Sequence, residues 1–168
     1  MREVLRVLKP GGRFVFAGEP NEKGDWVARR LSRLTGWAAK KVTHLPPLQE
    51  KWARPVAELE ESSRAAALES VVDIHTFDPD RLAALALRAG AIDVRTVTEE
   101  LTASWFGWPV RTFEAAVKPG ALGWNWAMFA YKGWLRLSWL DENVMSKIVP
   151  DELFYNVCIT GTKPAVNA

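Results

Sequence analysis

The sequence is short of the residues that make covalent and metal cross-links. A single cysteine, Cys158, excludes an internal disulfide in a chain of 168 residues, and a lone thiol fits a reducing, cytoplasmic setting. The two histidines, His44 and His75, stand too far apart in sequence to form a metal-ligand pattern, so no metal site is expected. The first residues hold no apolar run before a small-residue cleavage site and do not read as a signal peptide. Internal repeats and low-complexity tracts are lacking. An excess of charge is lacking too: the formal net charge is +2, too near neutral to argue for nucleic acid. What is abundant is apolar surface, at 48% of residues, enough for an ordinary core. Tryptophan is over-represented, with nine in all, and Trp105, Trp108, Trp124, Trp126, Trp134 and Trp139 crowd between Thr102 and Leu140.

Hydrophobic spacing gives the order of elements. Met1 to Leu8 reads as the end of an amphipathic helix, with Val4, Leu5 and Leu8 on one face. Pro10-Gly11-Gly12 stops it, because proline cannot continue a helix and glycine permits the reversal. Arg13 to Ala17 then reads as a buried strand. Asp25 to Val42 predicts a helix with a basic surface, weakened by Gly36 and closed off by Pro46-Pro47. A mixed stretch with Pro55 and a helical Glu58 to Leu68 follows. Asp78-Pro79 is an N-cap followed by proline at the first helical position, and Gly90 is the stop of the helix they begin. Asp93 to Leu101 reads as a strand. The Trp-rich region, broken by Pro109, Pro119, Gly120 and Gly123, predicts two or more helices. Leu153 to Thr162 alternates, with Tyr155, Val157 and Ile159 on one face, and predicts a final strand.

The segment Glu3 to Pro20, EVLRVLKPGGRFVFAGEP, resembles a stretch of class I S-adenosylmethionine-dependent methyltransferases. There a helix ending in LKPGG leads into the fifth strand of a seven-stranded Rossmann-like sheet. The later elements resemble the rest of that family's second half in order. Pro79 to Ala89 matches the helix between the fifth and sixth strands, GAIDVRTVTEEL the sixth strand, and LFYNVCITGTKP the seventh. The resemblance implies an α/β fold made of the last three strands of that sheet. The last strand would run antiparallel between the other two. Residues 1–168 would form the C-terminal half of one domain, with helical inserts at about 22–74 and 102–150. It implies S-adenosylmethionine as cofactor and a small-molecule substrate for the parent enzyme, apolar or aromatic if the Trp-rich stretch forms a lid over it. The family's glycine-rich loop after its first strand is not found among the eleven glycines. No cofactor-binding residue is therefore expected in this chain, which reads as a fragment of a longer enzyme, inactive alone. Without the earlier strands the sheet edge would be unpaired, which predicts self-association.

Site expectations follow from these two readings. Gly18, Glu19 and Asn21 stand after the first strand, where open α/β sheets bind ligands. Glu19 is a candidate base or substrate contact, against a role in loop capping or pairing. His44 and His75 are weaker candidates as bases, and packing is the commoner role of a histidine with no partner in the spacing. Trp105 and Trp108 are candidate substrate contacts in an aromatic lid, and equally candidates for the core of a helical insert. The chain could instead be a non-catalytic binding or interaction domain with a methyltransferase-like back end. A third reading is a peripheral membrane protein that uses the basic helix and the Trp-rich insert. Ala121 to Leu140 has the length of a membrane span, but Lys132 and Arg136 interrupt it.

Overall fold

The computed structural model describes residues 1–55, 57–58, 60–61 and 76–165. His75 and most of the expected helix at 58–68 lie outside them. The chain divides into two compact units. One comprises Met1–Asp25, His75–Glu100 and Glu142–Ala168; the other comprises Trp26–Ile74 and Leu101–Asp141. Residues 142–150, read from the sequence with the second insert, group with the first unit.

The first unit is built on a three-stranded sheet. Its strands are β1 (Arg13–Pro20), β2 (Ile92–Glu99) and β3 (Asn156–Thr162), in the order β1-β3-β2. β3 runs antiparallel to both neighbours, so β1 and β2 point the same way and their carboxyl ends lie at one end of the sheet. The expected place of the last strand, antiparallel between the other two, is thus met.

The short helix α1 (Arg2–Val7) enters β1 through the Pro10-Gly11-Gly12 turn. Gly11 has φ 74°, which side chains rarely adopt, and a Cβ on Gly12 would lie 2.8 Å from the Lys9 carbonyl oxygen. Both positions therefore need glycine. Residues beyond β3 hold the turn in place: Gly11 N–H donates to the Lys163 carbonyl at 3.0 Å, and Lys163 N–H donates to the Gly12 carbonyl at 2.8 Å.

One face of the sheet is covered. Phe14, Val157 and Ile159 pack with Leu5 of α1, with Ala91, and with Leu82 and Ala86 of α4 (Pro79–Arg88). Asp78 begins α4 as expected, its side chain accepting from the Asp80 and Arg81 amides at 3.0 Å each. Leu85, expected on the buried stripe, is instead exposed. The opposite face is open at its outer strands, where Val15 is 61% and Val97 57% exposed.

The second unit is helical. It holds most of α2 (Glu22–Thr43), all of α3 (Pro46–Trp52) and α5 (Thr102–Ala116), and nearly all of α6 (Gly123–Asn143). Two proline readings are corrected here. Pro46-Pro47 does not merely end the preceding segment but opens α3, since the missing amide hydrogens are not needed in a first turn. Pro109 does not break the Trp-rich region but lies inside α5. The Phe106 ring of the same helix lies against Gly133 of α6, where a Cβ would strike it. Gly36 likewise does not interrupt α2; a Cβ there would meet Thr112 of α5 at 3.6 Å, an ordinary contact. The final strand is shorter than its alternation suggests, because Asp151–Leu153 form a 3-10 turn before it.

Candidate functional site

The carboxyl end of β1 departs from regular pairing. Phe16 pairs with Ile159, but the next pair is Glu19 with Val157. Three residues of β1 thus span two of β3, which is a β-bulge. Gly18 sits in it with φ 80°. The bulge decides where Glu19 points. Strict alternation from Phe14 and Phe16 would turn Gly18 towards the helix-covered face and Glu19 away from it. The extra residue reverses this and places Glu19 on the face of Val157 and Ile159.

On that face Glu19 lines a hollow of 260 Å³ together with Met1, Phe16, Phe77, Leu82, Leu85 and Ile159. Every other lining side chain is apolar. Among the described residues the Glu19 carboxylate has no ion-pair or hydrogen-bond partner. A carboxylate set among apolar side chains can accept a hydrogen bond or a proton from a bound hydroxyl or ammonium group.

Asn21 is placed differently. It is 1% exposed. Its backbone N–H donates to the Tyr155 carbonyl at 2.7 Å and its side-chain Nδ2 to the Asp151 carbonyl at 3.3 Å. Phe77 N–H donates to the Pro20 carbonyl at 2.8 Å, so the chain that leaves β1 returns to the same point. Asn21 thus fastens the junction behind the bulge.

His44 follows α2, where its Nδ1 lies 2.7 Å from the Lys40 carbonyl oxygen. With one ring nitrogen engaged at a helix end, it acts as a C-terminal cap. Trp105 and Trp108 lie on α5, where the Trp108 carbonyl accepts from Thr112 Oγ1 at 2.7 Å. Neither lines the larger hollow of the helical unit.

That hollow measures 640 Å³ and is lined by Trp52, Phe113, Leu122, Trp126 and Phe129, with Lys51 and Asn125 among its few polar groups. The rings form a connected series. Trp52 meets Phe113 edge-on at 6.0 Å, Phe113 lies 5.3 Å from Trp126, and Trp126 lies 5.5 Å from Phe129. Trp126 is held by its Nε1–H, which donates to Glu114 Oε1 at 2.8 Å. The α3 wall is fixed by two hydrogen bonds: Lys118 N–H donates to the Trp52 carbonyl at 3.0 Å, and just beyond α3 Arg54 Nη1 donates to the Ala115 carbonyl at 3.1 Å. Of these rings the sequence singled out Trp126. Trp52 was missed because it stands far from the Trp-rich stretch and only folding brings it there.

Glycines differ in the room they leave for a ligand to approach the backbone. At Gly18, near the carboxyl end of β1, an added Cβ would meet nothing within 4 Å, while at Gly12, Gly24, Gly133 and Gly161 it would strike the protein's own backbone or rings. No group of three or more potential metal ligands occurs among the described residues. No protein-family model matches the chain, and no curated protein or solved structure gives a significant match to it.

Proposed function

We propose that this chain is the second half of a class I S-adenosylmethionine-dependent methyltransferase domain acting on a small apolar or aromatic molecule, with the cofactor held by sequence outside these residues. One observation carries the reading. A helix ending in LKPGG feeds β1, and the last strand lies antiparallel between β1 and β2. The exposed Val15 and Val97 and, among the described residues, the unpaired outer edge of β1 also support it, as both suit a further strand and helix layer. In this reading the chain closes the sheet and offers substrate contacts: Glu19 in its apolar hollow, and the aromatic hollow of the helical unit. Methyl transfer asks the protein mainly to position two reactants, so one inward carboxylate that can take a proton is a sufficient contribution.

The test extends the reading frame upstream of Met1. An in-frame strand followed by a glycine-rich loop is expected. The extended chain should bind S-adenosylmethionine in calorimetric titration, while residues 1–168 should show no saturable heat. Tight binding by residues 1–168, or an extended chain that encodes no such loop, would overturn the reading. In the active extended enzyme, Glu19→Gln should lower kcat by about 10²-fold if Glu19 removes a proton. An unchanged kcat would leave it a binding contact only.

A further inference from the structure

The helical unit exposes a face that its own packing does not use. The buried side of α2 carries Ala28, Ala39 and Thr43. At 3.6 residues per turn, Trp26, Arg30, Arg33, Leu34, Trp37 and Lys41 fall on the other side, within an arc of roughly 100°. Trp26 is 55%, Leu34 67% and Trp37 63% exposed. From Trp26 to Thr43 the helix carries Arg29, Arg30, Arg33, Lys40 and Lys41 and no acidic residue. The cations and rings are interleaved: the Arg30 guanidinium lies 3.8 Å from the Trp26 ring centroid, and Lys41 Nζ lies 4.0 Å from that of Trp37.

We propose that this face of α2 docks on the surface of an anionic phospholipid bilayer. Burying it against a protein core would desolvate Arg30, Arg33 and Lys41 with no acidic residue on this face of the helix to pair them, a large cost. Leaving it in water exposes two indoles and a leucine on a single stripe. A lipid headgroup layer suits both parts at once. Phosphates pair the cations, and indoles, being amphipathic, settle at the boundary between headgroups and acyl chains. The stacked cation keeps its charge at headgroup level while the ring lies deeper. A second helix repeats the composition. Trp124, Tyr131, Leu135 and Trp139 stand exposed on one side of α6, and from Gly123 to Leu140 its charged residues are Lys132 and Arg136, both basic. No helix among the described residues is long and apolar enough to cross a membrane, so contact would be shallow and parallel to the surface. This inference rests on α2 and does not depend on the methyl-transfer reading.

The test is co-sedimentation of residues 1–168 with vesicles of phosphatidylglycerol and phosphatidylcholine, and with vesicles of phosphatidylcholine alone. Binding to the anionic vesicles, weakened by added salt, is expected, with little binding to the neutral ones. A juxtamembrane basic residue contributes about 1 kcal/mol, so the triple variant R30Q/R33Q/K41Q should weaken anionic binding on the order of a hundredfold. The control R81Q/R88Q/R95Q removes the same charge from the sheet unit and should change binding only a few-fold. W26A/W37A should weaken binding while leaving its salt dependence. The substituted side chains of α2 point away from its buried side and those of the control are exposed, so far-UV circular dichroism should be unchanged. Equal binding to both vesicle types, no binding to either, or equal losses in the two triple variants would each overturn the proposal.

Discussion

At the scale of single residues, two buried contacts decide more than their sequence neighbourhood suggests. Asp141, near the end of α6, is 2% exposed. Its Oδ1 accepts from the Thr102 backbone N–H at 3.0 Å and from Thr102 Oγ1 at 2.6 Å, and its Oδ2 accepts from Ala103 N–H at 2.9 Å. The residue that should cap α5, Leu101, has no side-chain acceptor. A carboxylate from another helix therefore satisfies the open amides and faces the positive end of the helix dipole. Asp141→Ala should destabilise the helical unit by about 3 kcal/mol, since it leaves two buried amides without acceptors. Urea unfolding followed by tryptophan fluorescence would check it, and a loss below about 1 kcal/mol would mean water replaces the carboxylate. Gly24 is the second case. A Cβ there would lie 2.6 Å from the Cα of Tyr155 and would also strike the Phe154 carbonyl. Backbone cannot yield as a flexible side chain can, so Gly24→Ala should cost about 3 kcal/mol in the same measurement. Neither residue is conspicuous in the sequence, because long-range partners define both.

At the scale of elements, what could be read from the sequence follows from how local each signal is. Asp78, Pro79 and Gly90 mark α4 with chemistry that acts within a few residues, and the helix starts and stops there. Asp78→Ala should lower stability by about 1 kcal/mol, measured by the same unfolding, since two amides lose their acceptor. The alternation of Val157 and Ile159 likewise identified β3. Prolines were less legible because their effect depends on position within a turn: Pro46 begins a helix and Pro109 is tolerated inside one. The site was legible in part. Placement after the first strand drew attention to Glu19, but strict alternation would have aimed it away from the covered face. Only the pairing with Val157 reveals the bulge that turns it inward. The aromatic hollow was least legible, because Trp52 and Trp126 belong to separate stretches of chain that meet through contacts no local pattern encodes.

At the scale of the whole molecule, the sheet is the least self-sufficient part. Among the described residues β1 and β2 each pair on one side only, and Val15 and Val97 stand largely in solvent on the face opposite α1 and α4. Open edges with apolar neighbours invite pairing with another chain. In the methyltransferase reading the same surfaces would be covered by earlier strands and their helices, so one prediction distinguishes a finished sheet from an unfinished one. Residues 1–168 should associate with rising concentration in sedimentation velocity. Val15→Lys with Val97→Lys should shift them towards monomer, because a charge on each exposed strand opposes face-to-face stacking while touching nothing in the core around Phe14 and Ile159. The extended chain should be monomeric without either change. A single cooperative unfolding transition from a concentration-independent monomer of residues 1–168 would show instead that three strands and one helical layer suffice. That open face would then be a solvated surface, and the case for a missing half would lose its structural support.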